Sequence, residues 1–438
     1  MNYSQTLKYL SDAEKFGIIP GLDSIKRLCA KLGDPQTKLN IIHIAGTNGK
    51  GSVGCFLESV LRCAGYKTGR FVSPGVMDEL EIIQLCGENI SQSDFSQIIT
   101  LVRSAADEIV KSGFPHPTLF ELQTAAALCF FAQKNCEIAL VEVGMGGKED
   151  STNVIDSSLL SVITPISLEH TKFLGSTIEQ IASHKGGIIK KNGCVVSALQ
   201  TAGAMKVLKD ICLRQSARLT VSDPQLISKR EYSPTSQSFS YKGLENIKLS
   251  LLGTFQMENA ALAIDACMIL RDKGYKITNG DILKGLAVAR WQGRFEVIRG
   301  SSPTFIIDGA HNPSGAQKLM ETLDKTFAHR RITYIFGTFK DKDYESIAEL
   351  TAKRAEMIYT IPTKGKRGLS AQELAKTAAK YNPNVKAMPS PQQAVKQCLN
   401  SSCDLVLAFG SLSFLKEIKD TINGEYNNGT EIPQDLEA

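Results

Sequence analysis

One segment constrains the fold of this chain more than any other: the glycine-rich run from Gly46 to Ser52. It follows an apolar strand pattern, Ile41 to Ala45, and it opens a helical pattern that continues to about Leu61. A phosphate-binding loop needs this strand–loop–helix context, because glycines let successive N–H groups converge on one anion at a helix N-terminus. We therefore predict phosphate binding, although Gly51 separates Lys50 from Ser52, unlike in the standard loop. The alternative is a glycine-rich turn without a ligand.

The rest of the chain alternates strand and helix patterns, which predicts mostly parallel sheets covered on both faces. The expected fold class is α/β, with a P-loop-containing, mostly parallel sheet in an N-terminal domain and a smaller Rossmann-like α/β C-terminal domain. We place the domains at 1–295 and 296–438, with a disordered polar tail from about residue 423. Two short polar strand patterns, at 218–222 and 236–241, predict a small antiparallel insertion.

Composition excludes several classes of protein. The 438 residues carry 50 basic and 45 acidic side chains, a net charge of +5 that is too balanced to indicate nucleic acid. No apolar run approaches the ~18 residues of a membrane-spanning helix, and the first five residues lack the basic start and apolar core that we would expect of a secretory signal. The eleven cysteines form no C-x-x-C pair, so we expect no zinc ribbon. We expect their thiols to be reduced, in a cytoplasmic protein that does not contact membranes.

A carboxylate marks the next strand. Glu142 ends the apolar run 138–141, and a carboxylate leaving a buried strand beside a phosphate loop is suited to hold a nucleotide-bound Mg²⁺. The glycines at 144, 146 and 147 lack the third glycine and the helix start of a dinucleotide fingerprint, so a dehydrogenase is disfavoured. The pattern alone leaves His170 and Lys185 without a role, since Mg²⁺ prefers oxygen ligands.

Several motifs occur together in one order. They are Gly46–Ser52, Glu142–Gly147, Thr152-Asn153, His170-Thr171, His184–Ile188, Gln256–Ala260, Gly293–Glu296 and Asp308–Pro313. Over residues 5 to 420 the chain resembles the folylpolyglutamate synthase/dihydrofolate synthase family of the Mur ligase superfamily. The resemblance implies an ATP-dependent ligase that adds L-glutamate to a folate or dihydropteroate carboxylate through an acyl phosphate. It leaves open whether one or both of these substrates are used.

The resemblance also implies roles for individual residues. The implied nucleotide-binding residues are Thr47, Asn48, Gly49, Lys50, Gly51, Ser52, Asn259, Arg294 and Asp308. The implied metal positions are Ser73, Glu142, His170 and Lys185, and the implied catalytic residues are Lys50, His170, Lys185, Asp308 and His311. The implied substrate contacts are Phe120, Glu121, Thr124, Ser151, Thr152 and Asn153 on the pterin side and Ser411 on the glutamate side.

The implied cofactors are ATP and one or two Mg²⁺ ions, with room for a monovalent cation and with Lys185 as a carbamate. A carbamate replaces a cation with an anionic oxygen ligand, which suits a position beside Mg²⁺. The implied partners are small molecules alone, namely ATP, L-glutamate and folate or dihydropteroate, and the implied state is a monomer.

The chain departs from the family pattern at five positions. Gly75 replaces a histidine, Leu80 and Ile82 replace two arginines, His184 replaces an acidic residue before Lys185, and Ser413 replaces an aromatic residue. Two other functions stay open at this stage. One is a Mur-type amide ligase for a non-folate carboxylate, and the other is a nucleotide-binding protein without catalysis. The stretch Thr118 to Glu121, which resembles a pteridine pocket, favours a folate substrate.

Overall fold

The computed structural model of the chain describes residues 1–300 and 303–427. It forms two compact units. Unit 1 comprises Met1–Glu231, Gln237–Ser250 and Phe255–Trp291, whereas unit 2 comprises Tyr232–Ser236, Leu251–Thr254 and the chain from Gln292 onward. The tail that the sequence predicts to be disordered from residue 423 is helical through Asn427, and 428–438 lie outside the described residues.

An eight-stranded sheet forms the centre of unit 1. Its strands are β1 (Ile41–Ala45), β2 (Thr68–Phe71), β3 (Ile83–Leu85), β4 (Glu88–Asn89), β5 (Ile138–Glu142), β6 (Leu160–Ile163), β7 (Cys194–Ala198) and β8 (Arg218–Ser222). The order is β4-β3-β2-β5-β1-β6-β7-β8. From β2 to β8 the neighbours are parallel, and β3 and β4 add an antiparallel edge.

Helices cover both faces of this sheet. They are α1 (Tyr3–Ala13), α2 (Asp23–Lys31), α3 (Lys50–Cys63), α4 (Gln92–Lys111), α5 (Leu119–Gln133), α6 (Thr171–Leu174), α7 (Ile178–Gly186), α8 (Ala202–Arg214), α9 (Thr254–Asp272) and α10 (Asn279–Val288). One apolar core lies among α1, α2, α4 and α5, and another lies among α7, α8 and the sheet. Since both faces are covered, the central strands are apolar at nearly every position.

The central strand β1 has β5 on one side and β6 on the other. Every residue of β1 is buried, because three isoleucines and an alanine pack against the helix layers. The chain leaves β1 toward α3 and β2 on one side and later returns to β6 on the other. In such open parallel sheets, ligands bind beyond the carboxyl ends of the strands, where the chain direction switches. The glycine-rich loop lies at this edge.

A three-stranded sheet follows, with β9 (Ser228–Tyr232), β10 (Gln237–Tyr241) and β11 (Leu244–Leu249) in the order β11-β10-β9. The prediction of an antiparallel insertion was therefore right for 236–241 but wrong for 218–222. The latter segment is β8, which pairs in parallel with β7 at the edge of the large sheet. Its polar character reflects this edge position, since only Ser222 of the five residues is buried.

Unit 2 contains a six-stranded sheet. Its strands are β12 (Glu296–Arg299), β13 (Thr304–Ile307), β14 (Ile332–Phe336), β15 (Met357–Thr360), β16 (Val385–Ala387) and β17 (Leu405–Phe409), in the order β12-β13-β17-β14-β15-β16. Only β12 pairs in antiparallel fashion. The helices are α11 (Pro313–Thr326), α12 (Tyr344–Thr351), α13 (Ala371–Ala378), α14 (Pro391–Leu399) and α15 (Leu415–Asn427). The predicted α/β class with two parallel-rich sheets is confirmed.

Candidate active site

Three glycines of the loop after β1 lie where any side chain would collide. A Cβ added at Gly46 would lie 1.8 Å from Oγ1 of Thr164, and one added at Gly49 would lie 2.6 Å from Oδ1 of Asn259. Gly49 also adopts a left-handed conformation, with φ of 91°. One added at Gly51 would lie 2.8 Å from Nε1 of Trp291. The glycines thus let neighbouring elements approach the loop closely.

Helix α3 begins at Lys50 without a side-chain cap, so its first N–H groups have no side-chain acceptor. Such an uncapped N-terminus, with its partial positive charge, is a binding site for phosphate. Not every loop amide is available, because the N–H groups of Thr47 and Asn48 both donate to the carbonyl oxygen of Pro165. Thr47 is held further by hydrogen bonds with the backbone of Ser167.

Two amides of α9 complete the loop. Gln256 donates from Nε2 to Oγ of Ser52 at 3.2 Å, and Asn259 donates from Nδ2 to Oε1 of Gln256 at 3.0 Å. All three residues are buried. The predicted nucleotide residues Ser52 and Asn259 are therefore linked through Gln256, although they are 207 positions apart in the chain.

Two lysines converge on one carbonyl of the loop. Lys185, on α7 and only 4% exposed, donates from Nζ to the carbonyl oxygen of Gly46 at 2.6 Å, and Lys50 donates to the same oxygen at 3.3 Å. Burial, with a smaller contribution from the positive charge of Lys50, lowers the pKa of Lys185 to about 7. A large fraction of this amine is neutral near pH 7, which is unusual for lysine.

The predicted metal position Glu142 ends β5, where one of its oxygens lies 3.9 Å from Nζ of Lys50. Ser73 lies two residues beyond β2, which is paired with β5, so both follow the same edge of the sheet. His170 precedes α6 in a left-handed conformation and is exposed. Within the described part of the chain, no three His, Cys, Asp or Glu side chains form a metal cluster. A Mg²⁺ ion here would therefore need phosphate and water oxygens, the manner in which nucleotide-bound Mg²⁺ is held.

The predicted pterin-side residues of α5 lie near the loop after β5. A Cβ added at Gly144 would lie 2.6 Å from Cζ of Phe120, so this ring packs directly on the backbone of that loop. Glu121 forms a capping box with Thr118, in which its Oε2 accepts from the backbone and the hydroxyl of Thr118. The other carboxylate oxygen of Glu121 and the hydroxyl of Thr124 are buried without a protein partner among the described residues. Buried polar atoms of this kind suit a ligand or water.

The three predicted residues 151–153 are buried, and two of their side chains are already engaged within the protein. Thr152 donates to Asp150 and pairs with Nε2 of His43 at 2.9 Å. Asn153 donates to the carbonyl oxygens of Lys148 and Gly187 and accepts from Lys190. These contacts hold the loop after β5 in place, whereas the side chain of Ser151 makes no such contact with residues 1–300 or 303–427.

Three of the departures from the family pattern have a structural account. A Cβ added at Gly75 would lie 2.4 Å from the carbonyl oxygen of Asp78, so this backbone excludes the usual histidine. Leu80 packs against the core and Ile82 is 3% exposed. The positions where many family members carry arginines are apolar here and directed inward.

In unit 2, the predicted residues follow β13. Asp308 is buried and accepts hydrogen bonds from the N–H groups of Phe295 and Ala310 at 2.8 and 2.7 Å. Burial raises the pKa of this carboxyl, and the nearby Arg294 guanidinium opposes the rise. A Cβ added at Gly309 would lie 2.2 Å from Nη1 of Arg294. Nδ1 of His311 pairs with the carbonyl oxygen of Gly309 at 2.8 Å.

Ser411 follows β17, which pairs in parallel with β13, so it lies at the same sheet edge as Asp308. Its hydroxyl caps a short 3₁₀ helix and lies 2.9 Å from the hydroxyl of Ser413. The departure at Ser413 thus supplies a partner for the predicted glutamate contact.

Several residues that the structure places at the site have no predicted role. Gln256 lay within a quoted motif, whereas Trp291, Asp150 and His43 had no motif that pointed to the loop. Gln256, Trp291 and His43 each contact a residue that is far away in the sequence. Asp150 instead accepts hydrogen bonds from the N–H groups of Met145 and Thr152 in a local turn. The Asp–x–Thr spacing is the one signal that could have found it.

Comparison with known proteins places this site in a family. Residues 44–267 match the Mur ligase middle domain and residues 293–412 match the Mur ligase glutamate ligase domain. The dihydrofolate synthase/folylpolyglutamate synthase of Bacillus subtilis (strain 168) is 34% identical over 424 residues, which cover 95% of this chain and 98% of that protein. The chain belongs to the folylpolyglutamate synthase/dihydrofolate synthase family. It is an ATP-dependent ligase of the Mur type.

Solved structures of this family match nearly the full length of this chain. The folylpolyglutamate synthase of Thermotoga maritima has a TM-score of 0.84 and 32% identity and covers 97% of each chain. The Mycobacterium tuberculosis folylpolyglutamate synthase complexed with ADP and AMPPCP has a TM-score of 0.87 and 28% identity, with coverage of 98% of this chain and 100% of that one. Among the described residues, none of the helices has the length and apolar character that crossing a membrane requires.

Proposed function

We propose that this protein adds L-glutamate to the carboxylate of a folate or of dihydropteroate, at the expense of ATP. The observation that carries the proposal is the loop after β1, where an uncapped helix N-terminus, Lys50 and the amide pair Gln256–Asn259 converge. Phosphoryl transfer needs positioning and charge neutralisation more than a protein nucleophile. These residues supply the positioning and the positive charge, so the reaction requires no nucleophilic triad.

The first step is phosphorylation of the substrate. A carboxylate oxygen of the folate attacks the γ-phosphorus of ATP, the bond from that phosphorus to the bridging oxygen breaks, and ADP leaves with the electron pair. The N–H groups of the first turn of α3 and the ammonium of Lys50 bind the phosphate oxygens and stabilise the charge of the transition state. Lys50 now rests on the carbonyls of Gly46 and Thr47 at 3.3 and 3.4 Å, from which it can swing toward a phosphate.

The residues around Lys50 fit a nucleotide-bound Mg²⁺. Glu142 would provide a carboxylate and Ser52 and Ser73 would provide hydroxyls, which match the oxygen ligands that Mg²⁺ prefers. When bound, the ion neutralises phosphate charge and fixes the geometry of the triphosphate. We propose, from the family resemblance alone, that His170 also contacts Mg²⁺. We further propose that one or two Mg²⁺ ions bind and that a monovalent cation can bind as well.

We further propose that Lys185 is carbamylated. Only a neutral amine attacks CO₂, and the pKa of Lys185, lowered to about 7, provides one at physiological pH. The nitrogen lone pair forms an N–C bond to CO₂, one proton passes from the nitrogen to water, and the neutral amine becomes an anionic carbamate. This removes the repulsion between Lys185 and Lys50 and places an anionic oxygen beside the phosphate loop.

The second step forms the amide. The neutral amine of L-glutamate attacks the acyl carbon, the acyl–oxygen bond breaks, phosphate leaves with the electron pair, and the amine releases a proton. We propose Arg294 and Asp308 as nucleotide contacts and His311 and Ser411 as residues that meet the nucleotide or the incoming glutamate. The support is their common sheet edge in unit 2 and the match of this unit to the glutamate ligase domain.

The test is product formation from dihydropteroate and from tetrahydrofolate, measured side by side with ATP, Mg²⁺ and L-glutamate. We expect ADP, phosphate and a product heavier by one glutamyl residue with at least one of the two substrates. Turnover with neither, together with binding of a different carboxylate such as a UDP-sugar peptide, would instead indicate a Mur-type ligase for another substrate.

We propose a cytoplasmic monomer that acts on small molecules and on neither nucleic acid nor membranes. All eleven cysteines are free thiols, which suits a reducing compartment. Sedimentation at micromolar concentration tests the monomer, and a sedimentation coefficient that rises with concentration would contradict it.

A further inference from the structure

The phosphate loop is closed from one side by the indole ring of Trp291, the single tryptophan of the chain. A Cβ added at Gly51 would lie 2.8 Å from Nε1, 3.2 Å from Cε2 and 3.3 Å from Cζ2 of this ring. Gly51 stands between Lys50 and Ser52, so the indole packs on the turn that carries both residues. This contact accounts for the glycine that separates the lysine from the serine in this loop.

The indole is fixed from another direction by Arg70 on β2. The guanidinium carbon of Arg70 lies 4.2 Å from the ring centroid of Trp291, a favourable cation–π distance. Arg70 is buried, and it donates from Nε at 2.9 Å and from Nη2 at 2.5 Å to Oε1 of Gln84, its cross-strand partner on β3. The guanidinium is thus held against the ring and has little freedom to leave it.

In the part of the chain that the structure describes, the indole makes no hydrogen bond. Its Nε1 atom and Nη1 of Arg70 are buried without a partner among the described residues. A buried tryptophan N–H usually finds an acceptor. Here the ring keeps its place through packing and through the cation, so its effect on Gly51 is steric.

The segment that leads to Trp291 is attached to the same face of α3. Cys55, one turn beyond Gly51, donates from Sγ to the carbonyl oxygen of Arg290 at 3.1 Å. Ser59, one turn further, donates from Oγ to the carbonyl oxygen of Gly285 at 2.7 Å. Three positions spaced four residues apart therefore fasten the end of unit 1 along the helix that begins with the phosphate loop.

We infer that Trp291 is a positioning residue of the ligase, which sets the place of the first turn of α3 through its contact with Gly51. The inference rests on the proposed function only in that ATP is the nucleotide bound there. Trp291 does not reach the reacting atoms in this account; it acts through Gly51 on the N–H groups, on Lys50 and on Ser52.

The test is a double-mutant cycle on the binding of MgADP, measured by calorimetry without a folate substrate. Gly51→Ala should weaken binding at least tenfold, because its methyl group collides with the indole. Trp291→Phe should weaken binding by a smaller factor, since phenylalanine keeps one aromatic ring but lacks Nε1 and the second ring of the indole. When Trp291→Phe is already present, the factor by which Gly51→Ala weakens MgADP binding should be at least three times smaller than in the wild-type protein. The matched control is Gly54→Ala on the same helix, whose Cβ would lie 3.4 Å from Cδ1 of Ile44 and 3.9 Å from Cδ of Arg70, both ordinary van der Waals distances, and which should bind normally.

Additive losses in the cycle, or wild-type binding by both Trp291→Phe and Trp291→Ala, would overturn the inference. If Gly51→Ala does not fold, steady-state kinetics decide: Trp291→Ala should raise the KM for ATP and leave the KM for the folate unchanged, with partial rescue by phenylalanine. An equal rise in both KM values would indicate a general structural role instead. Normal MgADP binding by a chain that ligates no folate would count against the proposed function alone.

Discussion

The ammonium of Lys185 and the carbonyl oxygen of Gly46 are joined by a 2.6 Å hydrogen bond across 139 positions of chain. Lys50 reaches the same oxygen from within the loop. A buried lysine beside a second cation is unfavourable when charged, and the lowered pKa of Lys185 expresses this. The phosphate loop is therefore built around a lysine that can exist as a neutral amine.

The first prediction concerns the carbamate. With ¹³C-labelled bicarbonate, the wild-type protein should show a carbamate resonance in its NMR spectrum that Lys185→Ala lacks and that the exposed control Lys206→Ala retains. The signal should fade as the pH falls below about 7, because Lys185 becomes protonated at and below its folded pKa. Lys185→Ala should lose turnover, and acetate should restore part of it. An unlabelled Lys185 in a fully active enzyme would contradict the carbamate.

The second prediction concerns Lys50. Lys50→Ala should lower kcat at least roughly 100-fold, because the charge that develops on the phosphates loses a preorganised counter-cation. The melting temperature should change little, since the contacts of Lys50 within the described ranges are two loop carbonyls and, at 3.9 Å, Glu142. Lys206→Ala, on the exposed face of α8, is the control. Near-wild-type turnover of Lys50→Ala would show that the phosphate loop does not take part in catalysis.

These two lysines show how far the sequence leads. Lys50 is predictable because the loop is a local motif with its strand and helix adjacent. Lys185 and Asn259 could be assigned only by family resemblance, since folding brings them to the loop from distant positions. Trp291 was missed for the same reason: its partner Gly51 is 240 positions away, and no local pattern distinguishes it from a core tryptophan.

The fold was predictable where burial leaves a periodic pattern and unpredictable where it does not. The apolar runs of β1 and β5 reveal covered parallel strands. The edge strand 218–222 has mixed burial, so its polar pattern resembled the antiparallel hairpin that follows. Likewise Thr152 and Asn153 match substrate positions by motif, yet their side chains are engaged within the protein.

The third prediction concerns His43, which burial holds neutral by lowering its pKa to about 3. Between roughly pH 6.5 and 3 the unfolded chain binds a proton that the folded chain does not, so stability should decrease as the pH falls, by up to about 1.4 kcal/mol per pH unit. His43→Gln should flatten the dependence of the melting temperature on pH in this range. The exposed His329→Gln should leave it unchanged, and equal slopes in all three proteins would show that His43 is not responsible.

The fourth prediction concerns the contact of Gly144 with Phe120. Gly144→Ala places a methyl group 2.6 Å from Cζ of the ring, so the ring or the loop after β5 must move. Overpacking of this kind costs about 1–3 kcal/mol, and we expect the KM for the folate to rise roughly five- to 150-fold. The KM for ATP should change less. Gly280→Ala, whose Cβ meets Thr278 at 3.5 Å, is the control. Unchanged folate kinetics in Gly144→Ala would exclude Phe120 from the substrate pocket.

The central claim is that ligation proceeds through an acyl phosphate. Isotope transfer tests it most directly, with the substrate carboxylate labelled with ¹⁸O and the released phosphate analysed by mass spectrometry. Because the attacking carboxylate oxygen stays on phosphorus when the amine displaces phosphate, each turnover should deliver one ¹⁸O to phosphate. Unlabelled phosphate, released at the same rate as the amide forms, would contradict the account.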